Sequence, residues 1–144
     1  MKLKRIMISG GFDPIHIGHI EMIKEASRLG HVIVVINSDD WLKRKKGYVF
    51  MPYDERAAIL SSIVGVTLVS SVDDKDGTVC EAIRRLQPDV FANGGDRGHN
   101  NTPEVELCEH LDVQLMWGIG GEHKPQSSSW LVNKAMEQLN EINR

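Results

Sequence analysis

Cysteine is nearly absent from this chain, with two in 144 residues. Cys80 and Cys108 are too few and too far apart for a disulfide framework or a metal knuckle. Both fall at apolar positions of helix-like segments, where a reduced core thiol is the expected role. Long apolar runs are missing too: none comes near the ~20 residues that a membrane-spanning helix needs. The N-terminus "MKLKRIMISGG" has two basic positions, a strand-length apolar stretch and no cleavage pattern behind it. These absences argue against a membrane protein or a secreted one, and a cytoplasmic protein is expected. An excess of one charge is also lacking. A formal net charge of -3 gives no global attraction to nucleic acid or to an anionic membrane, so an anionic ligand must be held by a local site. Repeats, linkers and low-complexity tracts are not found, and a single domain over residues 1–144 is expected.

What the chain does have is alternation. Short β-rich runs at residues 4–9, 31–37, 65–70, 89–93 and 113–117 are separated by segments of helical periodicity at 18–29, 52–63, 77–86, 103–110 and about 128–142. Thr102-Pro103-Glu104 and "SSSWL" mark two of the helix starts with hydroxyl caps, a first-turn proline and an early acid. Strands alternating with helices predict an α/β domain, a Rossmann-like doubly wound parallel sheet of five strands with helices on both faces. In such a sheet the ligand crevice opens where the strand order reverses. If the first and fourth strands are neighbours, "SGGFDPIHIGH" and "ANGGDRGHNN" border that crevice. They are the two most glycine-rich polar turns in the chain.

The first of these turns has the makings of an anion site. Gly10 and Gly11 allow a sharp turn and close backbone approach, and Gly18 lies at a helix start, where backbone N–H groups and the helix dipole favour negative charge. His16 and His19 are three residues apart and project from one face of a first helical turn. Asp13 is expected to orient the turn through backbone bonds rather than to touch an anion. A metal pair is disfavoured, because the H-E-x-x-H spacing and a third ligand are both missing. The dinucleotide fingerprint G-x-G-x-x-G is missing as well.

The pattern Gly10-x-Phe12-Asp13-x-x-His16-x-Gly18-His19 resembles the signature of the cytidylyltransferase-like nucleotidyltransferases, α/β enzymes with an HxGH motif. The likeness runs from about residue 5 to residue 135. "NSDDWLKRKKG" is similar to the second-strand exit and basic loop of the sugar-phosphate branch, "DERAAIL" to the helix that carries the family's arginine, "LQPDVFANGGDRG" to the fourth strand and G-G-D turn of ADP-heptose synthases, and "QSSSWLV" to the serine-rich start of the last helix. The resemblance implies that His16 and His19 hold the triphosphate and stabilise charge as pyrophosphate leaves, while Phe12 presents its backbone N–H beside the α-phosphate. Lys43 with Lys45 or Lys46 would lie on a loop closing over the reacting phosphates. Arg56, Gly94, Gly95 and Asp96 would serve the nucleotide, the last three at base and ribose. Ser127, Ser128 and Ser129 would meet the outer phosphates.

Two departures fall on the acceptor side. Arg97 stands where heptose-type enzymes have an aromatic residue, and "GIGGEHKPQ" lacks the arginine of glycerol-phosphate cytidylyltransferases. Arg97, His99 and Trp130 are therefore the candidates for acceptor contacts. The implied partners are ATP or CTP and a phosphorylated small molecule. Mg²⁺ would be held mainly by the nucleotide phosphates, since no carboxylate cluster offers it a cage. Adenylyl transfer to a sugar 1-phosphate fits "NGGD" best, with cytidylyl transfer to a polyol or amino-alcohol phosphate close behind. A nucleotide-binding regulatory module is the non-enzymatic alternative. Related enzymes are commonly dimers, so a homodimer is expected.

Overall fold

The computed structural model describes residues 3–93, 102–120 and 126–143. The chain runs β1 (Lys4–Gly10), α1 (Ile17–Leu29), β2 (Gly30–Ile36), α2 (Asp39–Lys46), α3 (Tyr53–Ser61), β3 (Val66–Ser70), α4 (Cys80–Leu86), β4 (Val90–Ala92), α5 (Thr102–His110), β5 (Gln114–Met116) and α6 (Ser128–Ile142). The five strands form one parallel sheet in the order β3-β2-β1-β4-β5. This is the Rossmann-like α/β fold expected from the alternation.

The apolar runs explain the layering. Along β1 and β2, Ile6, Ile8, Val32, Val34 and Ile36 face one core with Ile23 and Ala26 of α1 and Leu60 of α3. Met7, Ile33 and Val35 face the other core, with Ala82 and Ile83 of α4 and Cys108 of α5. Central strands of a sheet covered on both sides read as unbroken apolar stretches, and each fully buried aliphatic side chain contributes about 1.5–3 kcal/mol. Both cysteines are free and buried, and burial pushes their thiols up, Cys108 to about 11. They are core residues, as expected.

One expectation needs correction. The basic segment after β2 is not a loop but the helix α2, and Lys43, Lys45 and Lys46 all lie on it. Ser38 caps it by accepting the Trp41 N–H, Asp39 and Asp40 occupy its first turn, the basic residues fill its last, and Gly47 ends it at φ 87°. Each is a helix signal that complements the macrodipole. Only Leu42 is buried on it, so no apolar periodicity marked the helix.

β1 lies between β2 and β4, so the order reverses beside it. In a parallel sheet a ligand crevice opens at such a reversal, here at the C-terminal ends of β1 and β4. No described helix is long and apolar enough to cross a membrane.

Candidate active site

The site is built on the turn from β1 into α1. His16 is the N-cap of α1, and the two histidines close a reciprocal capping box. The Gly18 N–H donates to His16 Nδ1 at 3.0 Å, and the His16 N–H donates to His19 Nδ1 at 3.1 Å. A neutral imidazole that accepts at Nδ1 carries its proton on Nε2. The cap thus fixes both rings as Nε2–H donors, stacked with centroids 3.9 Å apart. Burial, with the neighbouring His16 and Lys46, lowers His19 to about 3. Its ring is a neutral donor at physiological pH. The Gly18 N–H, expected to face an anion, is used within the cap.

Phe12 precedes the pair in the left-handed region, at φ 53°, with its ring buried and centred 4.8 Å from His19. Asp13 is fully buried, and its carboxylate accepts the N–H groups of Phe50 and Met51, each at 2.6 Å. It does bond backbone, although of a segment 37 residues away rather than of its own turn. Both carboxylate oxygens are engaged in those bonds, in keeping with a residue that orients backbone. Arg56, expected at the nucleotide, is likewise fully buried. Its guanidinium serves Met51, Gly11 and Asn37 carbonyls and the Asp39 carboxylate. A buried arginine is tolerable only when so satisfied.

The cations of α2 reach the same turn because the helix packs on it. A Cβ on Gly11 would lie 2.9 Å from Leu42 and 3.4 Å from Trp41. Lys46 is close enough to lower His19. Lys45 Nζ sits 4.8 Å from the centre of the Trp41 ring, whose Nε1 donates to the Gly77 carbonyl at 3.4 Å. Lys43 is exposed on the helix. Gly10 closes β1, its carbonyl accepting the Asn37 N–H at 2.9 Å.

A second helix start meets the turn. Ser127 caps α6 by accepting the Trp130 N–H at 3.4 Å, and the Ser128 hydroxyl donates to the Pro14 carbonyl at 2.7 Å. Both serines are nearly buried, whereas Ser129 and Trp130 are exposed. The N-termini of α1 and α6 thus converge, each with a partial positive charge, beside the lysines of α2. Gly94, Gly95, Asp96, Arg97 and His99 lie outside the described residues.

Several residues of this region carried no signal in the sequence. Asp74 accepts from Asn37 Nδ2 and from the N–H and hydroxyl of Ser38, latching the exits of β2 and β3 together. Glu104, on the first turn of α5, is buried, its Oε2 without a hydrogen-bond partner among the described residues, and burial raises its carboxyl above the usual range. A cavity of about 490 Å³ opens against Asp40 and Arg44 of α2 and reaches Asp73, Lys75 and Arg85. Many of its polar groups bond one another, as in the Arg85–Glu81 pair. Among the described residues no three His, Cys, Asp or Glu side chains gather as a metal site.

Residues 7–117 match the family described as cytidylyltransferase-like. The chain is 33% identical over 118 residues to the bifunctional protein HldE of Wolinella succinogenes, across 76% of this chain and 24% of that protein. It therefore spans about a quarter of that relative's length. It is 38% identical over 114 residues to the FAD synthase of Pyrococcus horikoshii, across 77% of this chain and 71% of that one. Two solved structures share the fold. The lipopolysaccharide core biosynthesis protein of Thermoplasma volcanium superposes with a TM-score of 0.64 at 23% identity, over 79% of this chain and 93% of that one. A bifunctional NMN adenylyltransferase/ADP ribose pyrophosphatase from Francisella tularensis gives 0.66 at 12% identity, over 92% of this chain and 42% of that one.

Proposed function

The chain belongs to the cytidylyltransferase-like nucleotidyltransferase family, and from that premise we propose that it transfers a nucleoside monophosphate from ATP or CTP to a phosphorylated small molecule, releasing pyrophosphate. One observation carries the proposal: two imidazoles with their protons fixed on Nε2 stand where two helix N-termini meet, tied by the Ser128–Pro14 bond. That cluster of donors suits a triphosphate.

An oxygen of the acceptor phosphate attacks the α-phosphorus, a new P–O bond forms, and the bond to the β-phosphate oxygen breaks as pyrophosphate departs. A phosphate monoester has a second pKa of about 6, so the nucleophile is already an anion at neutral pH and needs no dedicated base. What the protein must supply is positioning and charge stabilisation. His16 and His19 donate to the phosphate oxygens that gain charge, Lys45 and Lys46 offset repulsion between the two anions, and Ser127 with the α6 terminus receives the outer phosphates. Mg²⁺ arrives with the nucleotide as part of the substrate. The likeness to an FAD synthase, whose named product contains adenylate, supports ATP over CTP, and a sugar 1-phosphate remains the favoured acceptor class. The enzyme is proposed to act as a homodimer, which sedimentation equilibrium would contradict by showing only a 16.1 kDa species.

Substitution of His16 by alanine tests the reading. Turnover should fall by roughly 10²–10³-fold while calorimetry still detects nucleotide binding. Unchanged pyrophosphate release in the variant would remove His16 from the chemistry.

A further inference from the structure

We propose that Arg56 is a positioning residue: by holding the Gly11 carbonyl it aims the Phe12 N–H at the nucleotide's α-phosphate, without touching the nucleotide itself. The inference rests on the transferase reading above and changes the part that Arg56 plays in it.

The geometry begins with one planar peptide. Arg56 Nη1 donates to the Gly11 carbonyl at 2.8 Å and to the Asn37 carbonyl at 2.8 Å, so one nitrogen bridges the exits of β1 and β2. In a trans peptide the C=O and the following N–H point in opposite directions. Anchoring the Gly11 oxygen toward Arg56 therefore turns the Phe12 N–H away from α3. Phe12 makes no backbone hydrogen bond to any described residue through this N–H, although its side chain is buried. An unpaired amide in an otherwise packed turn is a donor kept for something else.

The conformation has to be held. Phe12 sits at φ 53°, a region that a bulky residue with a Cβ seldom adopts. Two restraints keep it there: the ring packs into the core beside His19, and Arg56 fixes the peptide in front. Asp13, immediately after, is tied to the 50–51 segment, and Arg56 Nε donates to Met51 of that same segment. The turn is thus gripped from both sides of Phe12.

Arg56 has no face left to offer a phosphate. Of the five N–H donors of a guanidinium, four are used by Met51, Gly11, Asn37 and Asp39. The side chain is 0% exposed. Reaching it would mean unpacking the turn on which the histidines stand.

The test follows the Phe12 amide by ¹H–¹⁵N NMR while wild-type protein is titrated with the Mg²⁺ complex of α,β-methylene ATP, and of the CTP analogue. Arg56→Lys is measured in parallel, with pyrophosphate release on the natural nucleotides. In the wild type the Phe12 amide proton should move strongly downfield together with the resonances of His16 and Ser127. In Arg56→Lys that Phe12 shift should be lost, with the nucleotide KM changed by no more than a few-fold and kcat lowered by roughly 10²-fold. An Arg56→Lys enzyme with wild-type kcat overturns the inference. Should that variant fail to fold, the wild type alone decides. Shifts at His16 and Ser127 with none at Phe12 overturn the inference and leave the transferase reading standing. No shift at any of the three removes both.

Discussion

His16 and His19 hold each other in place through their Nδ1 atoms, at 3.0 Å from the Gly18 N–H and 3.1 Å from the His16 N–H, and keep their protons on the opposite ring nitrogen. Structure and chemistry are thereby divided between two atoms of one side chain. Asparagine places an acceptor near the Nδ1 position and is a good N-cap. His16→Asn should keep stability within about 0.5 kcal/mol of wild type, whereas His16→Ala, which loses the cap, should cost about 1 kcal/mol. Both should lose turnover alike. Urea melts beside pyrophosphate assays check this, and substantial turnover in the asparagine variant would contradict the division.

Stability should depend on pH through His19. Its pKa is lowered from 6.5 unfolded to about 3 folded, so between these values the unfolded chain binds the extra proton. Stability is then fully present above the unfolded value and declines as pH falls from about 6.5 toward 3, by up to about 1.4 kcal/mol per pH unit for one proton. His19→Asn should flatten that slope. Urea melts at pH 7.5, 6 and 5 measure it, and an identical slope in the variant would assign the titration elsewhere.

Gly11 leaves room for α2. A methyl there meets buried Leu42 at 2.9 Å, so Gly11→Ala should destabilise by about 1–3 kcal/mol and lower kcat as Lys45 and Lys46 shift. Combining it with Leu42→Ala should cost less than the sum of the two single changes, because the variants share one contact. Strict additivity in urea melts would show that the helix does not rest on the turn.

Ser128 couples the two helix starts. Ser128→Ala removes the hydroxyl bonded to the Pro14 carbonyl and should cost about 1 kcal/mol. Nucleotide KM should rise more than kcat falls if, as proposed, the α6 terminus receives the outer phosphates. A fall in kcat with KM unchanged would place Ser128 at the reacting phosphate instead.

The alternation of apolar runs and helical segments was enough to read the parallel sheet, because β1 and β2 are buried on both faces and carry it in consecutive letters. The helix start at "SSSWL" was legible too, since hydroxyls mark helix starts whatever surrounds them, whereas its place beside the first turn was implied by the family resemblance and not by those letters. α2 escaped for a physical reason. Eight residues with one buried side chain leave no period to count, and the signals that frame the helix, Ser38, Asp39, Asp40 and Gly47, enclose a run of four basic residues that reads equally as a solvated loop. For Asp13 a backbone role was legible but not its partners, Phe50 and Met51, and the partners of Arg56 escaped because three of its four are backbone carbonyls, of Met51, Gly11 and Asn37. Backbone groups are the same at every position, so no letter announces such a bond. The Asp74 latch and the buried Glu104 were hidden likewise, since both depend on which loops the sheet brings together.

The most direct measurement is pyrophosphate release in the presence of Mg²⁺, with ATP and with CTP, against a panel of sugar, polyol and amino-alcohol phosphates. Turnover is expected with one nucleotide and one acceptor class, ATP with a sugar 1-phosphate first among them, and its loss in His16→Asn. Absence of pyrophosphate across the whole panel, with ATP or CTP still bound, would contradict the assignment of transferase activity to this acceptor range and leave a nucleotide-binding module.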